Sequence, residues 1–184
     1  MGSLPSPTTE IAASTNRVES RPADWYALYT CARHEKQVAA QLQQRDIEYF
    51  LPLYSSVRRW KDRRVNLQLP LFPGYLFVHT SLHRRIDVLS LPGAVRFVAF
   101  NGRPAALPES DLLRLRAGLD QGLLAQPHPY LKVGRRVRVR SGPLAGTEGI
   151  LLRKKDQFRL IVSIELIMRS VAVEIDAADV EPLG

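Results

Sequence analysis

Cysteine is almost missing from this chain of 184 residues. Cys31 stands alone, so no disulfide can close within the chain and no cysteine cage can form around a metal. A reducing compartment, the cytoplasm, suits such a sequence. Long apolar runs are also lacking, and the most apolar stretches, such as Leu160 to Ile164, are far too short to cross a bilayer. Met1 to Pro22 is rich in Ser, Thr and Pro with no apolar segment between charged and small flanks, so it does not resemble a secretory signal and a flexible tail is expected. His34, His79, His83 and His128 lack the spacing of a zinc site. Gly142-Pro143-Leu144-Ala145-Gly146 lacks the Lys-Ser/Thr pair of a phosphate loop, which leaves its glycines as turn formers. The expectation is a protein without catalytic constellation, metal or cofactor, and not an enzyme.

Acidic residues are the other shortage. Against 18 Asp and Glu stand 26 Lys and Arg, a net charge of +8 that favours an anionic partner, nucleic acid first. The 45% apolar content is enough for one medium domain or two small ones.

The pattern predicts two units. Trp25-Tyr26-Ala27-Leu28-Tyr29 suits a strand, and Arg33 to Arg45 has no Gly or Pro and puts Val38, Ala39 and Leu42 on one helix face. A second strand is expected over Ile47 to Leu53, a hairpin over Ser56 to Leu69, and a central strand over Gly74 to Val78. A short helix follows at Arg84 to Leu91, a strand at Ala94 to Phe100, and a helix at Pro108 to Leu119 opened by Pro108, Ser110 and Asp111. Helices intermixed with antiparallel strands imply an α+β sandwich. The two prolines of Gln126-Pro127-His128-Pro129-Tyr130 cannot continue that helix and mark a boundary. Short strand-like runs then recur at Arg136 to Arg140, Gly149 to Arg153, Phe158 to Ile164 and Val171 to Ile175, with glycines at the corners, as in a small antiparallel barrel. The expected division is a tail over 1–22, a first unit over 23–123, a linker over 124–130 and a second unit over 131–184.

Three surfaces are candidates for partners. Leu69 to Val78 crowds Phe72, Tyr75 and Phe77 around Pro73-Gly74; a strand after that break puts Tyr75 and Phe77 on one face and Leu76 and Val78 on the other. Such a two-sided apolar strand fits either a central sheet position or a core strand with an aromatic face left for a partner. Arg58-Arg59-Trp60-Lys61-Asp62-Arg63-Arg64 holds five positive residues and one negative within seven. At a hairpin tip these would make a basic finger carrying an indole, suited to phosphates and base stacking, or a solvated edge that keeps the sheet soluble. Arg33, His34, Gln41, Gln44 and Arg45 could contact phosphates or read base edges from the first helix, although a wet polar helix face has the same composition. Arg84 and Arg85 open a helix against its dipole, a cost that a negatively charged partner would offset.

Taken together, Trp25 to Tyr29, Phe50-Leu51-Pro52, Leu71 to Val78, Pro92-Gly93-Ala94-Val95 and the stretch Gly134 to Ile150 resemble the NusG family of transcription elongation factors over about Asp24 to Leu183. That resemblance implies an amino-terminal NusG domain followed by an SH3-like KOW barrel. Pro70-Leu71-Phe72-Pro73 and the run from Val162 to Glu174 look closer to the specialised RfaH and UpxY antiterminators than to housekeeping members. The resemblance implies a monomer that binds the β′ clamp helices of RNA polymerase through Tyr29, Phe72, Pro73, Tyr75 and Phe77. It places Arg84 and Arg85 near the β gate loop, and Arg33, His34, Gln41, Gln44 and Arg45 on the surface that meets non-template DNA. In the KOW unit it assigns the loop Ile164 to Ser170, with Leu166, Ile167 and Met168, to Rho or a small-subunit ribosomal protein. The function implied is suppression of pausing and termination, on specific long operons or as a general factor coupling polymerase to Rho or the ribosome. A third reading, a KOW-type ribosomal or RNA-binding protein, rests on Arg135, Arg136, Arg138 and Arg140.

Overall fold

The computed structural model describes residues 22–60, 63–130, 134–154 and 157–183, with the backbone alone at 58–60, 153, 154, 157 and 177. Lys61 and Asp62, and the tail expected over 1–22 apart from Pro22, lie outside the described residues.

The first unit runs β1 (Asp24–Thr30), α1 (Glu35–Gln44), β2 (Tyr49–Phe50), β3 (Leu53–Trp60), β4 (Arg63–Pro70), β5 (Tyr75–Thr80), α2 (Arg85–Leu89), β6 (Ala94–Phe97), β7 (Ala99–Phe100), β8 (Arg103–Pro104), β9 (Ala106–Leu107) and α3 (Glu109–Asp120). Its sheet has the order β2-β5-β1-β6, with β9 also paired to β1. Each of these pairings is antiparallel. Alternation along β1 and β5 gives the sheet two apolar faces. Tyr26, Leu28, Leu76 and Val78 meet Val38 and Leu42 of α1 and Val88 of α2. Trp25, Ala27 and Phe77 point the other way, into a cluster that contains Phe50, Phe72, and Leu112 and Leu115 of α3. The strand expected over Ile47 to Leu53 shortens to Tyr49–Phe50, and that expected over Ala94 to Phe100 is divided at Val98, whose N–H turns to the Ala27 carbonyl at 2.8 Å. β3 and β4 pair only with each other, as a two-stranded arm.

The second unit comprises β10 (Ala125–His128), β11 (Arg135–Val139), β12 (Glu148–Lys154), β13 (Gln157–Ile164), β14 (Arg169–Ile175) and β15 (Val180–Pro182), in the order β10-β14-β13-β12-β11-β15. The expected linker therefore contains a strand. Pro127 is accommodated because β10 lies at the sheet edge, where one side of the backbone has no strand to bond.

The two units share one apolar cluster. Phe72, Phe77, Leu112 and Leu115 belong to the same cluster as Val137, Leu144, Leu160, Val171 and Val173. Among the described residues no helix is long and apolar enough to cross a membrane.

Candidate functional site

The aromatic strand folds as its alternation predicts, but its rings have different fates. Phe77 is fully buried at 0% exposure, its ring 6.1 Å from Phe50 and 5.5 Å from Phe72. Strand β5 lies between β2 and β1, so this ring has its own sheet on both flanks and α3 in the same cluster. Phe72, expected at the surface, is 1% exposed. It lines a cavity of about 290 Å³ at the seam, together with Leu112 and Leu115 of α3 and Val162, Ile164 and Leu166 of the second unit. Neither ring is available to a partner in this arrangement.

Tyr29, Pro73 and Tyr75 do reach solvent, the tyrosines partly and Pro73 as an exposed residue. The Tyr29 and Tyr75 rings lie 5.3 Å apart, and Gly74 sits close beneath Tyr29, where an added Cβ would stand 3.4 Å from the ring. The guanidinium of Arg96 stands 5.6 Å from the Tyr29 ring centre, and that of Arg169, from the second unit, 5.8 Å from Tyr75. The result is a row, Arg96–Tyr29–Tyr75–Arg169, that ends on the second unit. Cations over aromatic faces hold such rings in place while leaving part of each ring accessible.

Glu35 fixes this ridge and was not singled out by the sequence. It is 5% exposed, and its carboxylate Oε1 accepts the Gly74 N–H at 2.7 Å. The same carboxylate lies in the first turn of α1, where the helix dipole favours negative charge. A glutamate two residues past Arg33 looks like any solvated helix residue, so only the fold exposes its role. Arg116 was missed for the same reason. Its guanidinium lies 5.1 Å from the Phe50 ring and 5.9 Å from Trp25, and it donates to the Tyr49 carbonyl at 3.2 Å.

Three of the five polar candidates at the first helix are already engaged, His34 through its ring Nδ1 with the Ala32 carbonyl at 3.0 Å. Gln41 donates from Nε2 to the carbonyls of Gln37 and Pro92, both at 3.2 Å. Arg45 donates to the Asp87 carbonyl at 2.7 Å and to Ser90 Oγ at 3.0 Å, closing the end of α2. Arg33, His34 and Gln44 are exposed, and Arg33 adopts a positive φ of 65° at the entry to α1. Arg84 pairs with the Asp87 carboxylate at 3.1 Å, so Arg45 and Arg84 meet at Asp87; Arg85 is exposed. On the β3–β4 arm, Arg58, Arg59 and Trp60 lie opposite Val65, Arg64 and Arg63 in register, and Arg63 and Arg64 are exposed. Lys61, at the tip, is outside the described residues.

In the loop expected to meet a KOW partner, Glu165–Ile167 forms one turn of 3-10 helix ended by Met168 in the left-handed region. Ile167 is buried, and Ile164 and Leu166 line the seam cavity. Met168 alone of the four apolar candidates is largely free, at 55% exposure. On β11, Arg136 and Arg138 both bind Glu148, at 3.2 and 2.6 Å. The hydrogen bond from Arg138 holds the Glu148 carboxyl below its ordinary value, and the charges of Arg138 and Arg136 act in the same direction. These two arginines are thus partly neutralised from within. Among the described residues no three His, Cys, Asp or Glu side chains converge as metal ligands.

The family model for NusG, transcription termination factor, matches residues 23–116, just over half of the chain. The transcription termination/antitermination protein NusG of Helicobacter pylori strain J99 is 25% identical over 173 residues, which span 87% of this chain and 98% of that protein. The protein of the same name from Deinococcus radiodurans is 28% identical over 187 residues, 85% of this chain and 97% of the relative. A solved structure describing domain interaction in Thermotoga maritima NusG shares the fold, with a TM-score of 0.53 at 20% identity, covering 88% of this chain and 98% of the other. On the strength of the model match and of relatives aligned across nearly their whole length, this chain belongs to the NusG family of transcription termination and antitermination proteins.

Proposed function

We propose that this protein is a non-enzymatic elongation and antitermination factor that seats on the β′ clamp helices of RNA polymerase through Tyr29, Pro73 and Tyr75, and so suppresses pausing and premature termination on a small set of long operons. The observation that carries the reading is the ridge. Two tyrosines 5.3 Å apart stand partly exposed, held by a buried carboxylate below and by arginines at either end. Partly exposed aromatic side chains flanked by Arg have the composition of a protein-binding hot spot. Phe72 contributes only if the second unit lifts away from it.

Arg33, His34 and Gln44, together with Arg63 and Arg64 on the arm, are exposed among the described residues, His34 with its Nδ1 held to the Ala32 carbonyl at 3.0 Å, and are proposed to meet non-template or upstream DNA. Arg85 is the free cation for a gate-loop contact. A general factor that couples polymerase to Rho or the ribosome is less well supported. Its loop turns Ile164, Leu166 and Ile167 inward, which leaves Met168 as the accessible apolar side chain among the four. The RNA-clamp reading is weakened by the Glu148 pairs.

The test is the affinity of Tyr29→Ala and Tyr75→Ala for purified core RNA polymerase. A loss of about ten-fold or more is expected from each, in line with hot-spot truncation. Unchanged affinity in the double variant would overturn the assignment. Transcriptome profiling of a deletion strain separates the specialist from the general factor, since changes spread over most transcription units would exclude action on a few operons.

A further inference from the structure

One short hairpin of the first unit has no part in its core clusters. β7 and β8 form a two-residue hairpin in which Ala99 pairs with Pro104 and Phe100 with Arg103. Asn101 and Gly102 close it with φ of 51° and 76°. Two successive positive φ values are the requirement of a type I′ turn, the tight connection whose twist matches paired strands, and Asn-Gly is its preferred sequence. The base is equally well fixed. The Val98 N–H donates to the Ala27 carbonyl at 2.8 Å, and the Ala105 N–H to the Val98 carbonyl at 3.1 Å. Strand β6 before the hairpin and β9 after it both pair with β1. The hairpin is therefore a short, anchored projection from the sheet edge.

Phe100 stands beside its turn with 69% of its surface exposed, the one aromatic among the large apolar residues found exposed in the described part of the chain. It belongs to none of the apolar clusters. Its cross-strand partner is Arg103, and directly paired residues present their side chains on the same face. The surrounding sequence has one sign of charge: between Asp87 and Glu109 it contains Arg96 and Arg103 and no carboxylate. An aromatic ring held out on an anchored hairpin, with a cation paired across from it and no carboxylate in the flanking sequence, matches the two requirements of single-strand binding, a stacking platform and a phosphate contact.

We propose that this hairpin tip binds single-stranded nucleic acid, an unpaired base stacking on the Phe100 ring while the Arg103 guanidinium meets a neighbouring phosphate. The ring accepts any base, because every base has a π-face, so the contact carries little sequence preference. Duplex DNA gains less, since its bases are already stacked on one another. The site is separate from the polymerase ridge and does not rest on it.

The experiment measures binding of a short, labelled, mixed-sequence single-stranded oligonucleotide to the full chain by fluorescence anisotropy, without polymerase, for the unaltered protein and for Phe100→Ala, Phe100→Tyr and Arg103→Ala. Phe100→Ala should weaken binding by about ten-fold, Phe100→Tyr should restore it, and the matching duplex should respond less. Arg103→Ala should reduce the logarithmic salt slope by about 0.7, the share of one phosphate contact on a single strand. Melting temperature checks that the variants remain folded. The proposal is overturned if the unaltered chain shows no saturable binding at low salt, or if Phe100→Ala binds the single strand as well as the unaltered chain does. It is also overturned if Phe100→Ala loses polymerase while keeping the oligonucleotide, which would assign the tip to a protein partner.

Discussion

Glu35 shows how one buried charge can position an otherwise irregular turn. Pro73-Gly74 interrupts the strand, and the Gly74 N–H would have no regular partner without the carboxylate 2.7 Å away. Replacing Glu35 by Gln keeps the shape but weakens a charge-assisted bond, and we expect a loss of about 1–3 kcal/mol, read as a lower urea midpoint. An unchanged midpoint would show that the turn holds without it. Glu148 provides the corresponding test of pH. Its folded value lies below that of the unfolded chain, because of the Arg138 hydrogen bond first. Its stabilising contribution is therefore complete above the ordinary carboxylate range and disappears as pH falls through the depressed folded value. Melting temperature followed from about pH 6 down to pH 3 should fall less steeply for Glu148→Gln than for the unaltered protein. Neither residue stood out in the sequence, since both partnerships join segments far apart along the chain or across a strand pair.

Glycine positions separate by element in the same way. Gly149, which opens the expected strand run Gly149 to Arg153, lies inside β12, where an added Cβ would stand 2.5 Å from the Ile161 carbonyl oxygen and 2.9 Å from Leu160 Cδ1. Backbone cannot swing aside as a side chain can, so Gly149→Ala should cost about 2–3 kcal/mol in thermal unfolding. Gly102 has nothing within 4 Å of the same position, and only its positive φ resists substitution. Gly102→Ala should cost about 1 kcal/mol, and equal losses at the two sites would contradict this account of close approach. The sequence showed where strands and helices begin, because period and breakers are local. It read Gln126 to Tyr130 as part of a linker where Ala125–His128 is a strand, since a proline is tolerated in a strand only when one edge of that strand is unpaired. Such an edge is a property of the whole sheet.

At the scale of the molecule, the shared cluster is expected to couple the two units in unfolding. Phe72→Ala removes a ring that touches both sides of the seam, and a loss of about 3–5 kcal/mol is expected. Hydrogen exchange is the informative measurement. Amides of β14 should lose protection together with those of β5; protection lost in β5 alone would mean that the units unfold independently. The same seam explains why ring exposure could not be read from the aromatic motif. Alternation predicted that Tyr75 and Phe77 share a face, and they do, but the cluster that takes in that face draws on Leu112 and Leu115 of α3 and on Val162, Ile164 and Val171 of the second unit, all far along the chain.

The amino-acid sequence alone determined the pieces: which residues alternate into strands, which faces are apolar, where positive charge gathers, and the family those motifs resemble. Tertiary structure decided which of the apolar groups remain available. Period two and period 3.6 fix the direction in which a side chain leaves its backbone, whereas burial depends on the surface it then encounters. Phe72 and Tyr75 belong to the same short motif, yet Phe72 is closed off between α3 and the second unit while Tyr75 stays partly in solvent.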